Sequence, residues 1–120
     1  MYKTYFIDID GTLFKHMTAE ELDAVYLTDH ISEILPNVAK YFAEISATDY
    51  IVITTARPIK YYEYTVRNLS HHKLRFTKLL MDLGMGPRVL INDITDPCDL
   101  KALSHNVIRD HGLGKLLKKN

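Results

Sequence analysis

Two short runs rich in β-branched and aromatic residues, TYFIDI (4–9) and YIVITT (50–55), constrain this 120-residue chain more than anything else in it. Each reads as a strand covered on both faces, the pattern of a parallel sheet. Between them LPNVAKYFAEIS (35–46) predicts a helix: Pro36 suits a first helical turn, and Val38, Tyr41, Phe42 and Ile45 recur at helical spacing. After the second run, RPIKYYEYTVRNLSHH (57–72) predicts another helix opened by Pro58, with Ile59, Tyr62, Val66 and Leu69 on its buried face. That assignment leaves Tyr61 and Tyr64 on the opposite face, available to stack on a base or sugar. KLLM (78–81), RVLIN (88–92) and SHNVI (104–108) are further strand candidates. The alternation predicts an α/β domain with parallel strands and right-handed crossovers.

Residues 15–34 fit neither pattern and are expected to form a flap over the strand ends. Within them Thr18 and Glu21 have the spacing of a capping box for a short helix through Tyr26, and Asp29 is placed to cap a further turn. His16 would overhang the strand ends from this flap.

The length fits a single domain spanning residues 1–120. Hydrophobic residues make up 47% and charged residues 25%, an ordinary globular balance. No apolar run is long enough to span a bilayer, and MYKTYF lacks the pattern of a secretory leader, so no membrane partner is expected and the cytoplasm is the expected location. Fifteen basic and fifteen acidic side chains cancel, so no net field would hold a polyanion; a nucleic-acid partner stays open but is not favoured. The lone Cys98 excludes an internal disulfide and a cysteine zinc cluster, and His71-His72 lacks ligand spacing.

The polar groups that end the strands carry the chemistry. Ligands of open α/β sheets collect beyond the carboxyl ends of the strands. Asp8 and Asp10 stand two apart, so in an extended strand they project to the same side, and like charges that close need a compensating cation. Mg²⁺ suits such a site because it takes hard oxygen ligands and keeps several waters. Asp93 after RVLIN is the natural further ligand, with Asn92 beside it. A metal on few carboxylates, with the Thr55 hydroxyl and helix amides near, suits a phosphoryl group under in-line attack by an aspartate. A second carboxylate two residues on can protonate the leaving oxygen and then activate water. Gly11 lets the chain turn directly after the acids, and Thr12 can pin the turn.

DIDGT after an apolar strand, IVITTARP some forty-five residues later and VLIND after that resemble motifs one, two and four of the haloacid dehalogenase superfamily of aspartate-nucleophile hydrolases. The resemblance spans roughly residues 4–110 and extends to small phosphatase-like members. It implies a Rossmann-like three-layer sandwich with strand order 3-2-1-4-5 and, from the short spacings, no large cap domain. It makes Asp8 the nucleophile and Asp10 the general acid/base, whose backbone carbonyl also binds Mg²⁺. Thr55 becomes the phosphate-binding hydroxyl, followed by Ala56 where the family has glycine, and Asp93 with Asn92 supplies the fourth motif. The implied activity is Mg²⁺-dependent phosphomonoester hydrolysis through an aspartyl-phosphate. A catalytically weak or idle Mg²⁺-binding regulatory module and a nucleic-acid end phosphatase are the alternatives.

The resemblance departs at the third motif, a lysine that faces the nucleophile. MDLGMGP has none, and Arg88, four residues before Asn92 in a strand, would lie about 13 Å away. Lys78, at the start of its strand, has the same difficulty. Arg57 and Lys60, at the helix start after Thr55, are the expected substitutes, and the helix amides there would help hold an anion. The expected partner is a phosphorylated small molecule or macromolecule end. A capless site is open, which leaves a homo-oligomer in which a neighbouring subunit covers it as one arrangement.

Overall fold

A computed structural model describes residues 2–119. Its elements run β1 (Thr4–Asp8), α1 (Ala19–Val25), α2 (Val38–Glu44), β2 (Tyr50–Thr54), α3 (Tyr62–His71) and β3 (Lys78–Leu80), with single 3₁₀ turns at Ile59–Tyr61 and Gly114–Leu116. The strands form one parallel sheet in the order β1-β2-β3, which places the second strand centrally. The fold is therefore α/β, built on a small parallel sheet of three strands.

One hydrophobic cluster holds the sheet to its helices. Ile7 of β1 and Ile51 and Ile53 of β2 pack with Val38 and Phe42 of α2, Leu69 of α3 and, from the C-terminal end of the chain, Leu113. β2 is covered on both sides from Ile51 to Thr54, as its run predicts. β1 is not: Thr4, Phe6 and Asp8 face solvent, and Phe6 is 57% exposed. β1 is an edge strand, and among the described residues no element lies against that face, so the expectation of burial on both faces fails for it.

The helices differ from expectation in two ways. Pro36 stays outside α2, which begins after Asn37 in a left-handed conformation at φ 64°. The Pro36 carbonyl instead accepts the Leu113 N–H at 3.0 Å, a tertiary contact that a helical Pro36 would give up. In α3 the buried face is turned from the expected one: Tyr61, Tyr64, Thr65, Asn68 and Leu69 are buried, while Ile59 is 60% and Tyr62 47% exposed. The tyrosines can be buried because their hydroxyls find partners, Asp23 for Tyr61 and Ser32 and His30 for Tyr64. They are thus not available as stacking platforms.

In the segment 15–34, α1 starts with the expected capping box. The Thr18 hydroxyl accepts the Glu21 N–H, and the Glu21 carboxylate accepts the Thr18 N–H. The segment folds over α3 through Ser32, Tyr64 and Asn68.

The two expected strands at 88–92 and 104–108 do not form among the described residues. Residues 84–106 are exposed throughout, including Val89 at 80%, Leu90 at 55% and Ile91 at 87%. Among the described residues no helix follows β3 other than the 3₁₀ turn. An apolar run has strand propensity only as a prior; with no ladder partner it remains irregular. No helix of the described residues is long and apolar enough to cross a membrane.

Candidate functional site

Asp8 ends β1 in register with Thr54, so the carboxyl ends of β1 and β2 finish level. The chain then turns on Ile9, which is fully buried and whose carbonyl accepts the N–H groups of Thr12, Leu13 and Phe14. Gly11 makes this turn at φ +82°, and a Cβ there would stand 2.9 Å from Cγ of Arg109. Glycine is needed both for the backbone angle and for the close approach.

Solvent reaches Asp8, yet the chain packed round its carboxyl strips part of its hydration and pushes its pKa above the ordinary 3.8. The Asp10 charge adds to that rise. The Ile9 N–H, the Arg88 charge and the Thr12 hydroxyl, 3.4 Å from Oδ2, pull the other way. The 13 Å separation presupposes a strand at 88–92, and none forms among the described residues.

Asp10 is differently placed. Arg57 donates from Nε to Oδ2 at 2.9 Å and from Nη2 to Oδ1 at 2.8 Å, a two-pronged pair, and its Nη1 donates to Thr65 Oγ1 at 3.0 Å. The Arg57 side chain is 1% exposed and that of Asp10 19%. Its guanidinium carbon lies 5.8 Å from the Tyr64 ring centre. Arg57 is expected to face a phosphoryl group; it is instead spent on Asp10. The pairing answers the puzzle of two adjacent carboxylates, because one of them has its own internal cation.

Thr55 is buried at 1%; its N–H donates to the Leu80 carbonyl and its hydroxyl accepts the Arg57 N–H at 3.0 Å. It retains a hydroxyl proton to donate. Ala56 is half-buried beside it. Lys60 turns away to Asp23, 2.9 Å off, and lies over the rings of Tyr61 and Tyr26. Tyr61 and then Lys60 hold the Asp23 carboxyl below its ordinary value. Lys60, in the 3₁₀ turn before α3, is therefore engaged by Asp23 of α1. His16 is tied by its backbone N–H to Asp110 Oδ1 at 2.8 Å.

Asn92 and Asp93 lie in the exposed segment, and Asp93 pairs with Lys101 at 3.5 Å. Among the described residues no three histidine, cysteine, aspartate or glutamate side chains gather as metal ligands. As placed, the Asp10 carboxylate is engaged by Arg57 and that of Asp93 by Lys101, so the carboxylates of the expected set Asp8, Asp10, Asn92 and Asp93 do not gather into one cluster among the described residues. The structure brings together Asp8, Asp10, Thr12, Thr55 and Arg57.

Sequence reasoning missed the Arg57–Asp10–Thr65 connection and the arrival of Arg109 at Gly11. A buried arginine requires a carboxylate, but which one is a tertiary fact. Compared with protein-family models, curated proteins and solved structures, the chain matches none.

Proposed function

We propose that this chain is a phosphomonoester hydrolase of the haloacid dehalogenase type in which Asp8 is the nucleophile. The observation that carries the reading is the division of labour between two adjacent carboxylates, Asp8 open to solvent and Asp10 held by a buried arginine. An Asp8 oxygen attacks phosphorus, the ester P–O bond breaks, and the leaving oxygen takes a proton from the acid form of Asp10, which regains one from the attacking water in the second step. Water then attacks the aspartyl-phosphate, releasing inorganic phosphate and restoring Asp8. Arg57 orients Asp10, whose oxygens keep further lone pairs for the proton transfers that the reading assigns to it.

The same reading includes strand order 3-2-1-4-5, with Arg88–Asn92 beside β1. The free edge of β1 and the exposure of Val89, Leu90 and Ile91 support it. Such pairing would return Asn92 and Asp93 to the strand ends, where Mg²⁺ would neutralise phosphoryl charge when bound. A second reading, a catalytically idle module of the same fold, is favoured by the Arg57 grip on Asp10.

The test is a panel of small phosphomonoesters and 3′- and 5′-phosphorylated oligonucleotides, assayed with Mg²⁺ and with EDTA, for the parent and Asp8→Asn. Mg²⁺-dependent hydrolysis lost in Asp8→Asn is expected. Absence of turnover, with Mg²⁺ binding seen by calorimetry, would assign the idle module.

A further inference from the structure

We infer that Arg109 is the oxyanion-binding cation of the candidate site, which makes the turn at residues 109–110 a working part of it. The inference rests on the proposed phosphatase reading for its kinetic arm and stands on charge placement for its binding arm.

Arg57, Lys60 and Lys101 each have a carboxylate partner, and Arg88, whose charge reaches Asp8, is hydrogen-bonded to carbonyls. Arg57 is buried on Asp10 and Thr65. Lys60 is paired with Asp23, and Lys101 with Asp93. Arg88 donates from Nη1 to the carbonyls of Gly84 and Gly86. Arg109, also exposed, makes no ion pair among the described residues.

Its position is fixed by backbone contacts. The Asp110 N–H donates to the Gly11 carbonyl at 2.9 Å, and Asp110 Oδ1 accepts the His16 N–H at 2.8 Å. These bonds press the 109–110 turn against the loop that carries Asp10, Gly11 and Thr12. The Arg109 stem then occupies the space a side chain at residue 11 would fill, with Cγ 2.9 Å and Nε 3.6 Å from that Cβ position. A guanidinium on an anchored stem, in no ion pair among the described residues and packed against the loop that follows Asp8, presents a planar fork suited to phosphate oxygens. It would also offset the charge repulsion between Asp8 and an incoming phosphate dianion.

The experiment compares the parent with Arg109→Gln, Arg109→Lys and, as a control on an exposed cation elsewhere, Lys118→Gln. Hydrolysis of p-nitrophenyl phosphate, inhibition by inorganic phosphate and thermal midpoints are measured for each. Arg109→Gln should raise both KM and the phosphate inhibition constant about tenfold or more, with Arg109→Lys recovering part and all midpoints matching the parent. Parental constants in Arg109→Gln, or equal losses in the Gln and Lys variants with a lowered midpoint, would overturn the inference. Should the parent hydrolyse nothing, the phosphatase reading fails, and calorimetric titration with inorganic phosphate decides the rest. Binding lost in Arg109→Gln alone upholds the anion site, whereas no binding by the parent, or binding unchanged in Arg109→Gln, refutes it.

Discussion

Arg57 keeps its charge almost out of water because Nε, Nη1 and Nη2 all meet fixed acceptors, two on Asp10 and one on Thr65. Removing one partner of such a pair strands the other, so Arg57→Ala should lower unfolding free energy by about 3 kcal/mol in urea titration. Combining Arg57→Met with Asp10→Asn should cost less than the sum of the two single changes, since neither then leaves an unpaired charge. Asp8 behaves oppositely. Its pKa in the folded chain is raised above 3.8, so between that value and the raised one the folded state holds more protons than the unfolded state. Stability therefore falls as pH rises through this window, and ionised Asp8 is a burden at neutral pH. Asp8→Asn should raise the thermal midpoint slightly at pH 7, and the gain should vanish below pH 3.8, as calorimetry at the two pH values will show. The same change removes the proposed nucleophile, so greater stability should accompany lost turnover.

The register of α3 is decided by polar groups on an otherwise apolar face. Tyr64 is 1% exposed, and its hydroxyl bonds to Ser32 Oγ at 2.8 Å and His30 Nδ1 at 2.9 Å. Asn68, fully buried, accepts the Ser32 N–H. Tyr64→Phe keeps the ring and removes the hydroxyl, leaving buried Ser32 with one partner fewer. A loss of about 1 kcal/mol in urea titration is expected, with faster amide exchange at Ser32. These contacts explain what could be read in the residues beforehand. β1, β2, β3 and the α1 capping box were legible because strand runs and caps are local signals. The buried face of α3 was not, because a helical stripe of Ile59, Tyr62, Val66 and Leu69 looks better by hydropathy than one containing Thr65 and Asn68. Only the approach of residues 15–34 makes the polar stripe the buried one. The site follows the same division: Asp8, Asp10 and Thr55 end strands and were readable, whereas the Arg57 pairing and the Arg109 contact depend on chain segments distant in sequence.

At the scale of the whole molecule the chain has a folded body, an exposed stretch at 84–106 and a return that is firmly attached. The return is held by Asp110 on Gly11 and His16, and by the Leu113 N–H on Pro36. Leu113 is 2% exposed, and Gly112 at φ +80° passes so close to Pro36 that an added Cβ would lie 2.1 Å from its carbonyl oxygen. Brief trypsin treatment should therefore cut first after Arg88 or Lys101, in the exposed stretch, while the two pieces remain together on size exclusion. Leu113→Ala, which removes a buried anchor at a cost of about 3 kcal/mol, should let the nicked pieces separate. The same digestion tests the proposed five-strand order. If Arg88–Asn92 pairs with β1 when the site is filled, Mg²⁺ with beryllofluoride should slow cleavage after Arg88, because a paired backbone cannot enter a protease cleft. Cleavage at Lys101 serves as the internal reference. An unchanged ratio of the two cuts would leave the sheet at three strands with its ligands, and the site would have to work from Asp8, Asp10, Thr55 and Arg109 without Asp93.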